Sequence, residues 1–234
     1  MELVVVVGII LLLLVLVIPA FTTNKTAGDV TSAAYTIKGV LDTACTYAKT
    51  NNTYTWVGFF EENVASTTPG TAGVGRLVMS IVASKDGTDP TYVPPLNLTT
   101  SLTQVGKLTK IDNVHLASFT DGSGQPPGTT FDARPPVTYT VNNAQIQYSL
   151  PNMANSTTPF TFPSGSPYTF SKAVQFSPRG EARVNNSTSA YPPQRAAEVG
   201  LEPTHGNVVP ASLPTNLVAI QFAGEGGAVT IYRR

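Results

Sequence analysis

Side chains that could act as nucleophile, general base or metal ligand are few in this chain of 234 residues. It contains two histidines, His115 and His205, and one cysteine, Cys45. The histidines are 90 positions apart, and neither belongs to a His-x-x-x-His or His-Glu-x-x-His pair that would place two ligands on one helix face. No Gly-x-Ser-x-Gly turn or phosphate-binding glycine loop is present. The sequence therefore predicts no catalytic residue and a protein that is not an enzyme.

Two short acidic segments could instead hold a metal ion. The segment Asp86-Gly87-Thr88-Asp89 and the segment that begins at Asp121 cluster the oxygen ligands that Ca²⁺ prefers. Asp-Gly pairs are also typical turn residues. We expect turns at both places and no cofactor, with a calcium site at Asp86, Asp89 or Asp121 as the alternative.

An acidic residue stands in front of the longest apolar run of the chain. The run extends from Leu3 to Phe21, 19 residues without a charge, and only Gly8 and Pro19 interrupt it. It is long enough to cross a bilayer as a helix, where an ionisable residue such as Glu2 is costly and so points to a function. A secretory signal peptide is not indicated, because it begins with basic residues and no Lys or Arg precedes Lys25. A plain membrane anchor explains the run but gives Glu2 no role.

Beyond Pro19 the sequence becomes polar, but apolar residues return at helical spacing. Alternating steps of four and three residues define one stripe, formed by Val30, Ala34, Ile37, Leu41, Ala44 and Ala48. This pattern predicts an amphipathic helix that buries one face against a globular domain. Cys45 is expected to be buried there, with a reactive or intermolecular thiol as the alternative. Together with the apolar run, the stripe predicts one helix over residues 1–52, roughly 75 Å long.

From residue 54 onward apolar residues alternate with polar ones, which predicts strands separated by Gly- and Pro-rich turns. The segment Pro136–Leu150 reads as one of these strands. We therefore predict an α+β fold, in which a long N-terminal helix with an apolar half and an amphipathic half packs on an antiparallel β-sheet domain over 53–234.

Charge is sparse along the whole chain. Charged residues make up 12% of the sequence and the formal net charge is zero, against a usual charged share of about a quarter. A nucleic-acid partner is not indicated, since it needs a basic patch or stripe. Weak repulsion between copies is tolerated better by a protein that polymerises than by a soluble monomer.

The N-terminal pattern resembles the type IV pilin and pseudopilin family. In that family a glutamate is the fifth mature residue, and a proline follows it 17 positions later in an apolar helix. Glu2 and Pro19 have this spacing, and Met1-Glu2-Leu3 is similar to the fourth to sixth mature residues. The resemblance implies that a glycine cleavage site and three mature residues precede Met1. It also implies that Glu2 neutralises the N-terminal amine of a neighbouring subunit.

The C-terminal half carries a second resemblance, in VQFSPRGEARV and in the ending VAIQFAGEGGAVTIYRR. These segments are similar to the end of H-type pseudopilins and FimT-like minor pilins, and to pilin-like proteins of a Verrucomicrobia-type cassette. Residues of about 60–135 match neither pattern, so they are expected to be an insertion that decorates the core sheet.

The resemblance implies a structural subunit of a type IV pilus-like extracellular filament, a helical homo-oligomer assembled through the residues Glu2, Leu3, Gly8, Pro19 and Phe21. The precursor would sit in the inner membrane, and a prepilin peptidase and assembly machinery would act on it before the filament reaches the cell surface. Two alternatives stay open: a minor pseudopilin of a type II secretion-like system, and a membrane-anchored periplasmic binding module.

Overall fold

The structure, a computed structural model, describes residues 2–89, 101–122, 131, 133–141, 143–156, 159–184 and 196–234; within 2–27 the described side chains are those of residues 6, 7, 8 and 10. Helix α1 spans Glu2–Thr50. Twelve strands follow: β1 (Thr55–Asn63), β2 (Gly75–Ser84), β3 (Leu102–Gln104), β4 (Thr109–Asp112), β5 (Val114–Ala117), β6 (Thr138–Val141), β7 (Ala144–Gln147), β8 (Lys172–Phe176), β9 (Ala182–Val184), β10 (Ala196–Pro203), β11 (Val218–Ala223) and β12 (Val229–Arg233).

Helix α1 ends at a left-handed asparagine. Asn52 has a φ of 49°, a conformation that asparagine tolerates better than most residues. The Thr53 N–H then donates to the Ala48 carbonyl (3.0 Å), and the Asn51 N–H donates to the Tyr47 carbonyl (3.0 Å). This is a Schellman-type end that satisfies helix carbonyls left without a partner. It turns the chain directly into β1.

The strands form three antiparallel sheets. Six strands make the largest sheet, in the order β3-β2-β1-β8-β9, with β4 also paired to β2. The second sheet has the order β12-β11-β10-β5, and the third is the hairpin β6-β7. The nine-residue ladder between β1 and β2 is the longest pairing, from Thr55 opposite Ala83 to Asn63 opposite Gly75.

The predicted fold class, a long helix with an apolar and an amphipathic half packed on an antiparallel sheet domain, is wrong. Antiparallel strands dominate the described chain and divide into three sheets. The helical segment that packs on them is residues 28–50, 23 residues that are not apolar. The physical reason is that an amphipathic segment can cover the apolar face of a sheet and still present polar groups to water. A segment that is apolar all round cannot do both.

Three apolar clusters stabilise these layers. The main core lies between α1 and the two larger sheets and joins Leu41 to Val57 of β1, Val199 of β10 and Ile220 of β11. A second cluster around Trp56 covers the opposite face of the six-stranded sheet. A third, with Phe119 and Phe131 in edge-to-face contact at 5.1 Å, covers the opposite face of the four-stranded sheet. Both larger sheets are thus packed on two faces.

Residues 60–135 take part in both larger sheets. Within this range β2 pairs with β1 over nine residues, β3 and β4 pair with β2, and β5 pairs with β10. Leu77 and Met79 of β2 belong to the main core. The strands expected to be a decoration therefore build the central ladder of the larger sheet.

The prediction of a single strand over Pro136–Leu150 is also wrong. The segment folds back on itself as β6 and β7, with Val141 opposite Ala144 and two residues between them. Asn143 has a φ of 65°, which a two-residue hairpin loop of the I′ type requires. Asn143 therefore marks a turn inside a run of otherwise regular alternation.

Candidate functional site

The apolar stripe of α1 is completely covered by the protein's own sheets. Each of its residues is at most 1% exposed: Val30, Ala34, Ile37, Leu41, Ala44 and Ala48. All six belong to the main core together with strands from both larger sheets. This half of the helix is therefore part of the globular domain.

The opposite face of residues 28–50 is open and sparsely charged, with the Asp42 side chain 47% exposed and Lys49 exposed. Tyr35 is 61% exposed, and a side chain built at Gly39 would meet nothing within 4 Å. Hydroxyl groups on this face bond their own helix: Thr43 Oγ1 donates to the Gly39 carbonyl (2.6 Å) and Thr50 Oγ1 to the Thr46 carbonyl (2.8 Å). These hydroxyls therefore do not depend on water for a hydrogen-bond acceptor.

The charged side chains of the same segment turn back onto the domain. Lys38 Nζ donates to the Val229 carbonyl (2.7 Å) and pairs with Asp42 at 3.0 Å. Lys49 Nζ donates to the Gly226 carbonyl (3.0 Å), and Asp29 accepts a hydrogen bond from Asn113 Nδ2 (3.1 Å). The charges of the helix thus serve to attach it to its own sheets.

The apolar half of α1 carries exposed side chains where they are described. Val6, Val7 and Ile10 are 54%, 46% and 52% exposed, and nothing lies within 4 Å of a side chain built at Gly8. The predicted assembly residues Glu2, Leu3, Pro19 and Phe21 lie within the bounds of α1, but their side chains are outside the described residues. Within the part of the chain that the structure describes, no helical segment combines the length and the hydropathy of a bilayer span.

Cys45 is buried at 6% exposure beside the glycine turn between β11 and β12. Its Sγ approaches the Gly226 carbonyl at 3.8 Å, and a side chain at Gly227 would lie 2.9 Å from the sulfur. Gly227 has a φ of 69°, so both its conformation and its close approach to the thiol require glycine. Cys45 thus packs as a small apolar residue at this contact.

Two of the aspartates considered for calcium accept hydrogen bonds within the protein, Asp86 in a local turn and Asp121 from the start of β6. Asp86 Oδ1 accepts hydrogen bonds from the Ser84 hydroxyl (2.7 Å) and from the Thr88 hydroxyl and N–H (2.8 and 3.0 Å). The Ser84 bond and the Thr88 bonds lower the pKa of Asp86 to about 2. Asp121 accepts from the N–H groups of Val137 and Thr138 (3.0 and 2.8 Å). In the described part of the chain, no three His, Cys, Asp or Glu side chains, Asp89 included, are grouped to hold a metal ion.

Calcium is expected to leave the melting temperature unchanged to within about 1 °C, because a ligand stabilises a fold only where it finds a preformed site. Thermal unfolding in millimolar CaCl₂ and in EDTA measures this, with MgCl₂ as the control for ionic strength. A rise of several degrees with Ca²⁺ that Asp121→Asn abolishes would contradict the assignment of Asp121 as an acceptor for the backbone of Val137 and Thr138 only.

A histidine with two carboxylates connects the larger sheets, a cluster that the sequence did not reveal. His115 Nδ1 of β5 lies 2.7 Å from Glu61 Oε1 of β1, and His115 Nε2 lies 3.9 Å from Glu202 Oε1 of β10. The hydrogen bond with Glu61 raises the pKa of His115, against the opposing effect of burial. Burial raises the pKa of Glu202. The only sequence signal was a histidine inside an alternating strand.

A second cluster is wholly buried on the outer face of the four-stranded sheet. Arg134 Nε donates to Glu198 Oε2 (2.9 Å), and Gln221 Nε2 donates to the same oxygen (3.0 Å). Burial raises the pKa of Glu198 although Gln221 and Arg134 oppose the shift. Glu198 Oε1 and Gln221 Oε1 find no partner among the described residues. A glutamate inside the apolar strand RAAEVGL was the available signal for this cluster.

A third cluster lies on the outer face of the six-stranded sheet. Glu62 accepts hydrogen bonds from the Gly70 N–H (2.9 Å), the Tyr168 hydroxyl (3.0 Å) and Arg76 (3.1 Å). These bonds outweigh burial and hold the pKa of Glu62 below its usual value. Arg76 also contacts Asp112 across the β2–β4 pair. The three clusters fix strands to one another, and none places a nucleophile beside its base.

Comparisons with known proteins give no relative. Neither a protein-family model, nor a curated protein, nor a solved structure matches the chain. The functional proposal therefore depends on the N-terminal pattern and on the division of α1 into a covered and an uncovered part.

Proposed function

We propose that the chain is a structural subunit of a type IV pilus-like filament that assembles through its N-terminal helix. One observation carries the proposal: the domain covers residues 30–48 of α1 on one stripe, while Val6, Val7 and Ile10 remain about half exposed. Exposed apolar side chains in a row call for a second apolar surface, either lipid or another copy. Before assembly that surface is the inner membrane, and in the filament it is the helices of neighbouring subunits.

The position of Glu2 favours a filament over a simple anchor. A carboxylate at the edge of an apolar helix costs several kcal/mol unless a cation neutralises it. The resemblance of Glu2 and Pro19 to the pilin pattern supplies that cation as the N-terminal amine of the next subunit. Such a pair also fixes the axial register between subunits, which a membrane anchor does not need.

Replacing Glu2 by alanine is expected to keep the chain in the membrane but to lower its amount in filaments at least about tenfold, which corresponds to a loss of only ~1.4 kcal/mol per subunit contact. Sheared cell-surface material is examined by electron microscopy and by mass spectrometry for this chain. The matched control is Glu225→Ala, because Glu225 is an exposed glutamate in the turn before β12.

The outcomes separate the three classes of protein. Filaments that contain the wild-type chain and the E225A variant, but not E2A, support the proposal. Equal amounts of E2A and wild-type chain in filaments contradict the role of Glu2. Wild-type chain that stays in the membrane fraction, with no filament on the surface, favours a minor pseudopilin or a membrane-anchored binding module.

A binding module has one feature in its favour. A depression of about 470 Å³ beside the end of α1 is lined by polar residues that include Tyr47, Asn52 and Asp86. The Asp86 carboxylate there already accepts hydrogen bonds from Ser84 and Thr88. The Asp86 carboxylate is thus used within the protein, and Lys85 is the other charged residue of the lining. The exposed apolar residues of α1 are not explained by such a depression, so the filament is the stronger proposal.

A further inference from the structure

The cluster around His115 joins the two larger sheets at a strand edge. β5 is the last strand of the four-stranded sheet, and β10 pairs with it on one side only. On its free edge, the Leu116 N–H donates to Glu61 Oε1 of the other sheet (2.9 Å). The His115 ring reaches the same oxygen at 2.7 Å. The Glu61 carboxylate of β1 thus accepts a hydrogen bond at the free edge of β5 and also binds the imidazole of His115.

The second ring nitrogen faces the second carboxylate. Glu202 is the direct cross-strand partner of His115 on β10 and is 7% exposed. Its Oε1 lies 3.9 Å from His115 Nε2, an electrostatic contact beyond hydrogen-bond length. A protonated ring has an N–H directed at each carboxylate, whereas a neutral ring has only one N–H to offer.

Other charged groups near β5 are already engaged elsewhere. Arg76 of β2 pairs with Glu62 and Asp112, and Asp29 of α1 accepts a hydrogen bond from Asn113. Glu61 and Glu202 are therefore the charges that act on the imidazole from the elements packed around it. Two anions and one titratable ring make the net charge of the cluster depend on pH.

We propose that His115 is a pH-sensitive clamp, which in its protonated form draws Glu61 of the six-stranded sheet and Glu202 of the four-stranded sheet together. In the neutral form the ring keeps one hydrogen bond, to Glu61, and Glu202 loses its counter-charge. The buried carboxylate of Glu202 then faces Glu61 without a cation between them. The clamp loosens as the pH rises, and this holds whether or not the chain forms filaments.

The direction of the effect follows from the two pKa shifts. The pKa of His115 is raised above its ordinary 6.5, so the folded chain holds the proton more tightly than the unfolded chain. Its stabilisation is complete below about pH 6.5 and is lost as the pH rises through the raised value. The raised pKa of Glu202 acts in the same sense, because ionisation of a buried carboxyl favours the unfolded chain.

The clamp acts close to the point where α1 enters the domain. Asn113 precedes β5, donates to Asp29 of α1 (3.1 Å) and accepts a hydrogen bond from the Thr204 N–H (3.0 Å). Loosening of β5 is therefore expected to weaken the contact of Asn113 with Asp29 of α1 and its hydrogen bond with Thr204. We expect the amide protons of Leu116 and Thr204 to lose protection together at high pH.

The two histidines make the test internally controlled, since His205 is exposed and serves as the reference. NMR of the ring protons in the full-length chain, kept in solution with a mild detergent, gives both titration curves. We expect His115 to titrate above its ordinary pKa of 6.5. Urea unfolding is then measured from pH 5.5 to 8.5. For each unit by which the pKa of His115 exceeds 6.5, the equilibrium constant for unfolding is expected to rise by up to about tenfold over this range.

Variants decide whether the clamp is the cause. His115→Gln is expected to remove the part of this dependence that His115 causes and to leave the part that the buried Glu202 causes, whereas His205→Gln is expected to preserve the whole profile. Glu202→Gln removes one carboxylate and is expected to lower the titration point of His115. The proposal is overturned if H115Q and H205Q share one pH profile. Should H115Q fail to fold, a titration point of His115 at or below pH 6.5 in the wild-type chain overturns it equally.

Discussion

Replacing Arg134 by alanine is expected to lower the free energy of unfolding by about 3–5 kcal/mol, because it leaves one half of a buried ion pair without its partner. The Arg134 side chain is 1% exposed and that of Glu198 is fully buried. The guanidinium also donates to the carbonyls of Phe131 (3.1 Å) and Thr120 (2.9 Å) and stacks over the Phe131 ring at 4.2 Å. Equilibrium unfolding in urea measures the loss.

The loss is expected to depend on pH. Burial already raises the pKa of Glu198, and removal of the cation raises it further. The variant therefore loses stability as the pH rises from about 4.5 through the raised pKa, where the buried carboxylate must ionise or the chain unfold. Adding Glu198→Gln removes that charge, so the double variant R134A/E198Q is expected to recover part of the stability and to lose the pH dependence.

Arg76→Ala is the control for a partly exposed ion-pair network on the other large sheet. The Arg76 side chain is 33% exposed and bonds the exposed Asp112 and the buried Glu62. Glu62 keeps the Gly70 N–H and the Tyr168 hydroxyl as donors when Arg76 is removed, so this variant is expected to lose less than R134A. Equal losses in the two variants would show that Arg134 acts through general packing and not through its charge.

Local patterns in the sequence predicted local structure well. The spacing of apolar residues from Val30 to Ala48 predicted a buried helical stripe, because residues that recur with the 3.6-residue period of an α-helix lie on one face. The helix predicted over residues 1–52 ends at Thr50, just before Asn52, because asparagine tolerates the left-handed conformation that closes a helix. Each of these features depends on residues no more than a turn or two apart.

Features that depend on distant residues could not be predicted in the same way. Glu61 and His115 are separated by 54 positions, and Arg134 and Glu198 by 64. A charged residue in an alternating strand fits a side of the strand that faces solvent. Only the assignment of strands to sheets shows which charged side chains are covered by other parts of the protein. That assignment is decided by strand pairing, which no periodicity specifies. The fold class was wrong because the helical segment that packs on the sheets is residues 28–50, which are not apolar.

Replacing Leu41 by alanine is expected to lower the free energy of unfolding by about 2–5 kcal/mol, since the truncated side chain leaves a cavity in a packed core. Leu41 is fully buried and lies at the middle of the stripe, where α1 meets both larger sheets. Urea unfolding of the full-length chain in detergent measures the change.

The same helix supplies a control of opposite sign two residues earlier. Gly39 is exposed and a side chain there would meet nothing within 4 Å, so Gly39→Ala gains helix propensity without a new contact. It is expected to raise stability by about 0.5–1 kcal/mol. If residues 28–50 were only a stalk beside the domain, Leu41 would be as exposed as Gly39 and both alanines would be harmless. A large loss at Leu41 together with a gain at Gly39 can arise only if one face of this segment is core and the other is open surface.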